Sequence, residues 1–361
     1  MAQTDAKPAP TKPAPSKNVR IHQANRTIQV SHTQTVLEAA LEQGVEYPHG
    51  CRSGRCGTCK SRLIDGKVDL LEHSRFALTD AEKAAGLILA CRALPQDDLV
   101  LAWLGDEEEQ PHHTVRQVAA RVTDVRDATH DIRVIRLALA GDPLAFSAGQ
   151  YVRLTVPGSP SRDYSMANLP GDTGLEFHVR HVPEGVTSGH IHRNLKPGEA
   201  VRIEGPFGSS WLRHGHTGPI LAVAGGSGLA PIQSIVETAL SMGMAQPIHL
   251  YFGVRTTRDL YQLPHFHELA YRYDNLHFIP VLSGETGTPP FRTGYVADAV
   301  AADIKDLDGW KTYTAGPPAM IDTVMEATMA AGLRQEDLHA DVFFTPEDGD
   351  ARAAAMQRSQ A

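Results

Sequence analysis

The chain has four cysteines in 361 residues, all between residues 51 and 91: Cys51, Cys56, Cys59 and Cys91. A disulfide scaffold spreads its cysteines and lives in an oxidising compartment, whereas a tight group in a reducing one gathers thiolates around a metal. The order Cys51-x4-Cys56-x2-Cys59, closed by Cys91, is the spacing of plant-type [2Fe–2S] ligation. Gly50, Gly54 and Gly57 lie beside or between the first three ligands. Glycine lets loop amides turn toward sulfur and spread the negative charge of the thiolates. Structural zinc is the competing reading, but it usually takes two Cys-x2-Cys pairs or Cys with His. A Rieske centre would need two histidines in place of two cysteines, and no Cys-x-His motif occurs. The thiolate set describes a low-potential one-electron carrier.

Two further groups suit anionic ligands. Arg162-Asp-Tyr164-Ser165 follows Gly149-Gln-Tyr-Val-Arg153 in a β-rich stretch, and strand alternation puts Arg162 and Tyr164 on one side. An Arg fork and an aromatic plate on one face can meet a single phosphate-bearing ligand, although such a pair is more often the solvated edge of a sheet. Ala224-Gly225-Gly226-Ser227-Gly228-Leu-Ala-Pro231 follows an apolar run and opens a helical one. Its glycines admit a diphosphate to the helix start, and Pro231 suits a first helical turn. It is not the Gly-x-Gly-x-x-Gly fingerprint, because Pro231 stands where the third glycine would be and no acid ends the next strand. Three His-x-His pairs, His190/His192, His214/His216 and His265/His267, lack a nearby third ligand and read as surface or core residues.

These residues need elements to position them. Residues 1–18 alternate Pro, Ala and Lys and predict a disordered tail. From Val19 to about Leu104 short alternating runs and a helix over Val36–Leu41 predict a small mixed α/β domain. An acidic stretch at 105–113 predicts a linker. From 114 to 214, short β-rich runs separated by Gly, Pro and Asp predict an antiparallel barrel. From 215 to 345, alternating strand, Gly-rich turn and helix predict a parallel α/β unit, followed by a flexible tail at 346–361. With 34 Lys+Arg against 42 Asp+Glu the net charge is −8, which argues against nucleic acid as a partner. No apolar run is long enough to span a membrane and no secretory signal is present, so the chain reads as cytoplasmic.

His49-Gly-Cys51-Arg-Ser-Gly-Arg-Cys56-Gly-Thr-Cys59 with Leu89-Ala-Cys91-Arg92 resembles the ferredoxin module of oxygenase reductases. Arg162-x-Tyr164-Ser165, Gly185-x-x-Ser188, Gly205-Pro-Phe-Gly208, Gly225-Gly226-Ser227-Gly228-x-Ala-Pro231, Tyr251-Phe-Gly-Val-Arg255 and Ala315-Gly316-Pro317-Pro-Ala-Met320 resemble, in order, signatures of the ferredoxin–NADP reductase superfamily. From about Val19 to Pro346 the chain is similar to reductase components of Rieske-type aromatic ring-hydroxylating dioxygenases, including Ser165-Met-Ala-Asn168 and His339-Ala-Asp-Val-Phe343.

That resemblance implies a multidomain fold. It has a β-grasp [2Fe–2S] ferredoxin domain (19–104), an antiparallel Greek-key β-barrel flavin domain (114–214) and an α/β parallel-sheet nucleotide-binding domain (215–345). It implies that Cys51, Cys56, Cys59 and Cys91 hold the cluster, that Arg162 binds the FAD pyrophosphate, that Tyr164 stacks on the isoalloxazine and that Ser165 lies beside its N5. Gly185, Thr187 and Ser188 become a second phosphate contact. Gly225, Gly226, Ser227 and Gly228, bordered by Gly316 and Pro317, receive the nicotinamide cofactor, with the Ser227 hydroxyl near its ring. Phe343 or Phe344 covers the second flavin face. FAD is implied over FMN because the ferredoxin comes first, and NADH is expected over NADPH although Arg255 and Arg258 could receive a 2′-phosphate. The implied activity is an NAD(P)H-dependent reductase passing electrons from NADH to FAD, to [2Fe–2S], and on to a Rieske oxygenase or its small ferredoxin. Arg52, Arg55 and the acidic linker are candidate docking features. Other clients, a di-iron monooxygenase or a deoxysugar dehydratase system, and a non-catalytic redox sensor are the alternatives.

Overall fold

The computed structural model describes residues 16–49, 52, 54, 57–73, 77–104, 113–285 and 290–343. They divide into two compact units, broadly before and after residue 105.

In the first unit, β1 (Ser16–Ile21) and β2 (Arg26–Ser31) alternate buried Val19, Ile21, Ile28 and Val30 with exposed neighbours, the period expected of half-buried strands. Helix α1 (Val36–Glu42) starts on a capping box in which the Thr35 hydroxyl accepts from the Glu38 amide and the Glu38 carboxylate accepts from the Thr35 amide. Next come β3 (Lys60–Asp65), β4 (Val68–Leu70), α2 (Asp80–Ala84), β5 (Leu87–Leu89), β6 (Ala93–Pro95) and β7 (Leu99–Trp103). The main sheet runs β2-β1-β7-β3-β5, with β1 antiparallel to β2 and parallel to β7, while β4 and β6 pair separately. Residues of α1 share a core with Val19, Ile28, Leu89 and Leu101, which gives the β-grasp arrangement of a mixed sheet around one helix. Strand β1 pairs Ser16 with Ser31, so the segment expected to be a tail through residue 18 is strand from Ser16 onward. Three ladder pairs with β2, at Ser16, Lys17 and Asn18, outweigh the polar composition there.

The second unit begins with β8 (Arg116–Asp127), β9 (Ile132–Leu139), β10 (Tyr151–Thr155), β11 (Arg162–Ser165), β12 (Gly174–Arg180), α3 (Val186–Arg193) and β13 (Ala200–Phe207). Their order is β11-β10-β13-β8-β9-β12, all antiparallel, and a bridge between Met166 and Phe177 links the two outer strands. The sheet thus nearly closes into a Greek-key barrel around Val122, Ile135, Val152, Phe177 and Val201.

The chain continues through β14 (Ile220–Gly225), α4 (Leu229–Ser241), β15 (Ile248–Val254), α5 (Leu263–Arg272), β16 (Leu276–Leu282), β17 (Arg292–Thr293), α6 (Val296–Asp303), β18 (Lys311–Gly316), α7 (Pro318–Ala330) and β19 (Leu338–Val342). These strands form a parallel sheet in the order β17-β16-β15-β14-β18-β19. Every residue of β14 is buried, as a central strand covered on both faces requires. The chain leaves β14 for β15 and β16 on one side, then crosses to β18 and β19 on the other. The order reverses between β14 and β18, where an open parallel sheet leaves a ligand crevice at the strands' carboxyl ends. Among the described residues no helix is long and apolar enough to cross a membrane.

Candidate functional site

Of the four thiols, Cys59 lies in the turn before β3 and Cys91 in the turn between β5 and β6; Cys51 and Cys56, with Arg55, lie outside the described residues. Cys59 and Cys91 are buried and not disulfide-bonded, and the Cys91 amide donates to the Cys59 sulfur at 3.5 Å. Arg52, Gly54 and Gly57 all take positive φ, at 53°, 77° and 77°. A Cβ on Gly54 would stand 2.7 Å from Cγ of Arg92, so the turn has room for glycine alone. Buried thiols with an amide directed at sulfur suit an iron–sulfur cluster, whose sulfurs draw hydrogen bonds.

Strand β11 is held by β10 in a register that sets Tyr164 opposite Val152 and Arg162 opposite Leu154. Arg162 is exposed, donates to the Ser161 carbonyl at 2.9 Å and makes no ion pair among the described residues. Burial pushes the Tyr164 phenol up to about 12, against the pull of Arg162, so the ring stays uncharged at neutral pH. Nearby in the barrel, a cavity of about 360 Å³ separates the β10–β11 loop, at Gly158 and Ser159, from the start of α3 at Gly185 and Val186; His181 and Arg193 also line it. The Thr187 hydroxyl donates to the Pro160 carbonyl at 2.7 Å and pins the helix start to that loop. Ser188 is spent locally: its hydroxyl accepts from the Val182 amide at 3.2 Å and donates to the Gly185 carbonyl at 3.4 Å. The N-cap position falls to Gly185, so this turn offers an anion its backbone amides more than the Ser188 hydroxyl.

At the crevice, a 3-10 turn over Gly226–Gly228 joins β14 to α4, with Ser227 buried in it and Pro231 third in the helix. A Cβ on Gly228 would stand 2.1 Å from the Ala315 carbonyl oxygen, an approach that only glycine permits. Opposite, Gly316 ends β18 and Pro317 precedes α7. Arg255 and Arg258 are exposed beyond the carboxyl end of β15.

Two acids that sequence reasoning did not single out complete the picture. The Ser165 hydroxyl donates to Oδ2 of Asp341 at 2.7 Å. Asp341 pairs with Ala315 in the β18–β19 ladder, and the Phe343 amide donates to the Gly316 carbonyl at 2.9 Å. The flavin-type strand and the nucleotide-type loops therefore converge through β19; Phe344 lies outside the described residues. The second acid is Glu285, beyond β16, whose Oε2 accepts from both the amide and the hydroxyl of Thr257 at 2.7 Å. A lone acid in or after a strand has no spacing signature. The only flag on Asp341 was its place in the His339–Phe343 segment.

Residues 19–96 match the family described as 2Fe-2S iron-sulfur cluster binding domain, 119–211 the oxidoreductase FAD-binding domain and 222–326 the oxidoreductase NAD-binding domain. The chain is 40% identical over 310 residues to the ferredoxin–NAD(P)+ reductase component of the naphthalene 1,2-dioxygenase/salicylate 5-hydroxylase systems of a Ralstonia species, covering 86% of this chain and 93% of that one. It is 37% identical over 354 residues to the reductase component of phenol 2-monooxygenase from a Pseudomonas species, covering 95% and 99%. A crystal structure of an Amycolatopsis cytochrome P450 reductase superposes with a TM-score of 0.71 at 38% identity, over 91% of this chain and 98% of that one. The fold and site are those of a flavin- and iron–sulfur-dependent NAD(P)H oxidoreductase with FAD and [2Fe–2S] as cofactors. Within that class, the chain belongs to the family of ferredoxin–NAD(P)+ reductase components of oxygenase systems.

Proposed function

We propose that the chain moves electrons from NADH to the oxygenase component of a Rieske non-haem iron system acting on aromatic rings, directly or through a small ferredoxin. FAD supplies acceptance of a hydride's two electrons and [2Fe–2S] supplies one-electron output. The chain's own residues bind, orient and shield. Cys51, Cys56, Cys59 and Cys91 hold the cluster. Arg162, free of carboxylate partners among the described residues, and the amides at the start of α3 hold a pyrophosphate. Tyr164 offers an uncharged ring face. Ser165 keeps its proton directed at Asp341, which leaves the hydroxyl's lone pairs to accept from a ring N–H. The Gly225–Gly228 turn and Gly316–Pro317 border the nicotinamide, with Ser227 nearest it and Phe343 on the far side of the flavin.

The observation that carries this reading is the Ser165–Asp341 hydrogen bond. It joins β11 to β19, β19 pairs with Ala315, and Gly228 abuts the Ala315 carbonyl, so two rings can be held in contact for hydride transfer. The NADH preference is supported by Glu285, whose carboxylate, bound at Thr257 beside Arg255 and Arg258, suits ribose hydroxyls and repels a 2′-phosphate. The assigned spans are a cluster domain to residue 104, a linker over 105–113, a flavin domain over 114–214 and a nucleotide domain over 215–345. A cytoplasmic site follows from the need for NADH.

A di-iron monooxygenase client is the second reading, favoured by the phenol 2-monooxygenase relative that matches 95% of the chain. Reconstitution tests the choice. NADH oxidation should couple to hydroxylation with an aromatic-ring dioxygenase component; coupling only with a di-iron hydroxylase would transfer the chain to that client. Absence of rapid NADH-dependent cytochrome c reduction would make it a sensor.

A further inference from the structure

A buried polar chain crosses from the barrel to the nicotinamide turn. On β12, Glu176 and His178 have side chains only 7% and 0% exposed. The Arg136 guanidinium donates to Oε2 of Glu176 at 2.6 Å, Nε2 of His178 faces Oε1 of Glu176 at 3.2 Å, and Nδ1 of His178 faces the Tyr261 hydroxyl at 3.0 Å. That hydroxyl lies 3.3 Å from the Gly226 carbonyl, in the turn that carries Ser227. None of these four side chains touches the reacting groups in the reading above.

Proton counting gives the chain a direction. Burial holds His178 below its ordinary value, so its ring is neutral near pH 7. The Glu176 carboxylate can only accept, so Nε2 carries the ring's proton and Nδ1 is left as an acceptor. The Tyr261 hydroxyl then shares its single proton between two acceptors, Nδ1 at 3.0 Å and the Gly226 carbonyl at 3.3 Å. Its ring is fixed edge-on to His178, with centroids 5.3 Å apart, and to Phe252, at 5.6 Å. Gly226 itself takes a φ of 55°, a conformation glycine adopts at no steric cost.

We propose that Tyr261, aimed by His178 and Glu176, is a positioning residue that anchors the Gly226 carbonyl and thereby fixes the turn presenting Ser227 to the nicotinamide. This rests on the assignment of that turn to the dinucleotide. The anchor acts on affinity rather than on the hydride step, because it touches backbone one residue away from the ring. It also ties the nucleotide turn to a barrel strand, so the two ring sites keep their spacing.

The test uses FAD-loaded full-length protein and NAD+ as the probe, read by calorimetry and, for NADH, by stopped-flow flavin reduction. Tyr261→Phe should raise the NAD+ Kd about fivefold, the size of one neutral hydrogen bond, and change the limiting reduction rate by less than about twofold. His178→Asn keeps an acceptor oxygen near the place of Nδ1 and should stay close to wild type; His178→Leu removes the competing acceptor but leaves the Tyr261 proton for the Gly226 carbonyl, and should cost less than Tyr261→Phe. Nitrogen NMR of the histidines should show one ring protonated on Nε2 alone across neutral pH, and lost in either His178 variant. Wild-type affinity in Tyr261→Phe, or a loss in His178→Leu as large as that in Tyr261→Phe, would overturn the proposal. A wild-type protein that binds no NAD+ would instead remove the dinucleotide assignment beneath it.

Discussion

The cluster loop and the flavin–nicotinamide site hold their ligands by opposite strategies. In the proposed reading the first collects four thiolate ligands between residues 51 and 91, and the Cys91 amide is directed at the Cys59 sulfur. The second gathers groups far apart in the chain: Ser165 and Asp341 meet across 176 residues. A cluster site tolerates few substitutions because each ligand is a bond. A site assembled by packing spreads its free energy over many contacts, so single changes there should be graded.

The largest effect is expected at the covalent site. Cys59→Ser should drop iron content and cytochrome c reduction to background while leaving FAD content and NADH-dependent ferricyanide reduction near wild type. Loss of both activities together would mean that the two sites are not separable. Next, Asp341→Asn removes a charged acceptor from the Ser165 hydroxyl and should slow stopped-flow flavin reduction by about tenfold to a hundredfold, the range of a hydrogen bond to a charged group. An unchanged rate would leave Ser165 without its tuning partner.

Acid should separate the two regions differently. Burial opposes ionisation of Glu176, but the His178 and Arg136 hydrogen bonds outweigh it and hold the carboxyl at about 2, below its ordinary 4.5. The folded pKa is depressed, so this stabilisation is fully present above the ordinary value and is lost as pH falls from about 4.5 toward 2. Urea unfolding of the second unit, followed by flavin fluorescence, should lose roughly 2–3 kcal/mol over that window. Glu176→Gln should flatten the slope; an equally steep variant would assign the loss to other carboxylates. The smallest change is expected at Glu285→Gln, which should narrow the ratio of NADH to NADPH kcat/KM by about threefold, the scale of one exposed charge. A ratio that does not move would return cofactor choice to Arg255 and Arg258.

The same contrast governs what could be read before any coordinates. Spacing alone proposes Cys51, Cys56, Cys59 and Cys91 as the thiolate set, because ligation chemistry is written in spacing, and the match of residues 19–96 to a 2Fe-2S domain supports it. The Gly225–Gly228 turn was legible because a strand, glycines and Pro231 announce a helix start locally. Alternation located β1, β2 and β8 to β10, and an unbroken apolar run located β14, although Ser16 already belongs to β1 where composition predicts a tail. Spacing did not announce that the Ser188 hydroxyl serves Val182 and Gly185. Asp341, Glu285 and the Glu176–His178–Tyr261 chain were silent because each owes its role to a partner brought in by tertiary packing.

Anaerobic titration of the purified holoprotein with NADH, followed together by absorbance and EPR, reads both regions at once. Bleaching of the flavin followed by the EPR signal of a reduced plant-type cluster is the predicted course. A flavin that bleaches while no cluster signal ever forms, or a metal analysis returning zinc in place of iron and sulfide, would contradict it.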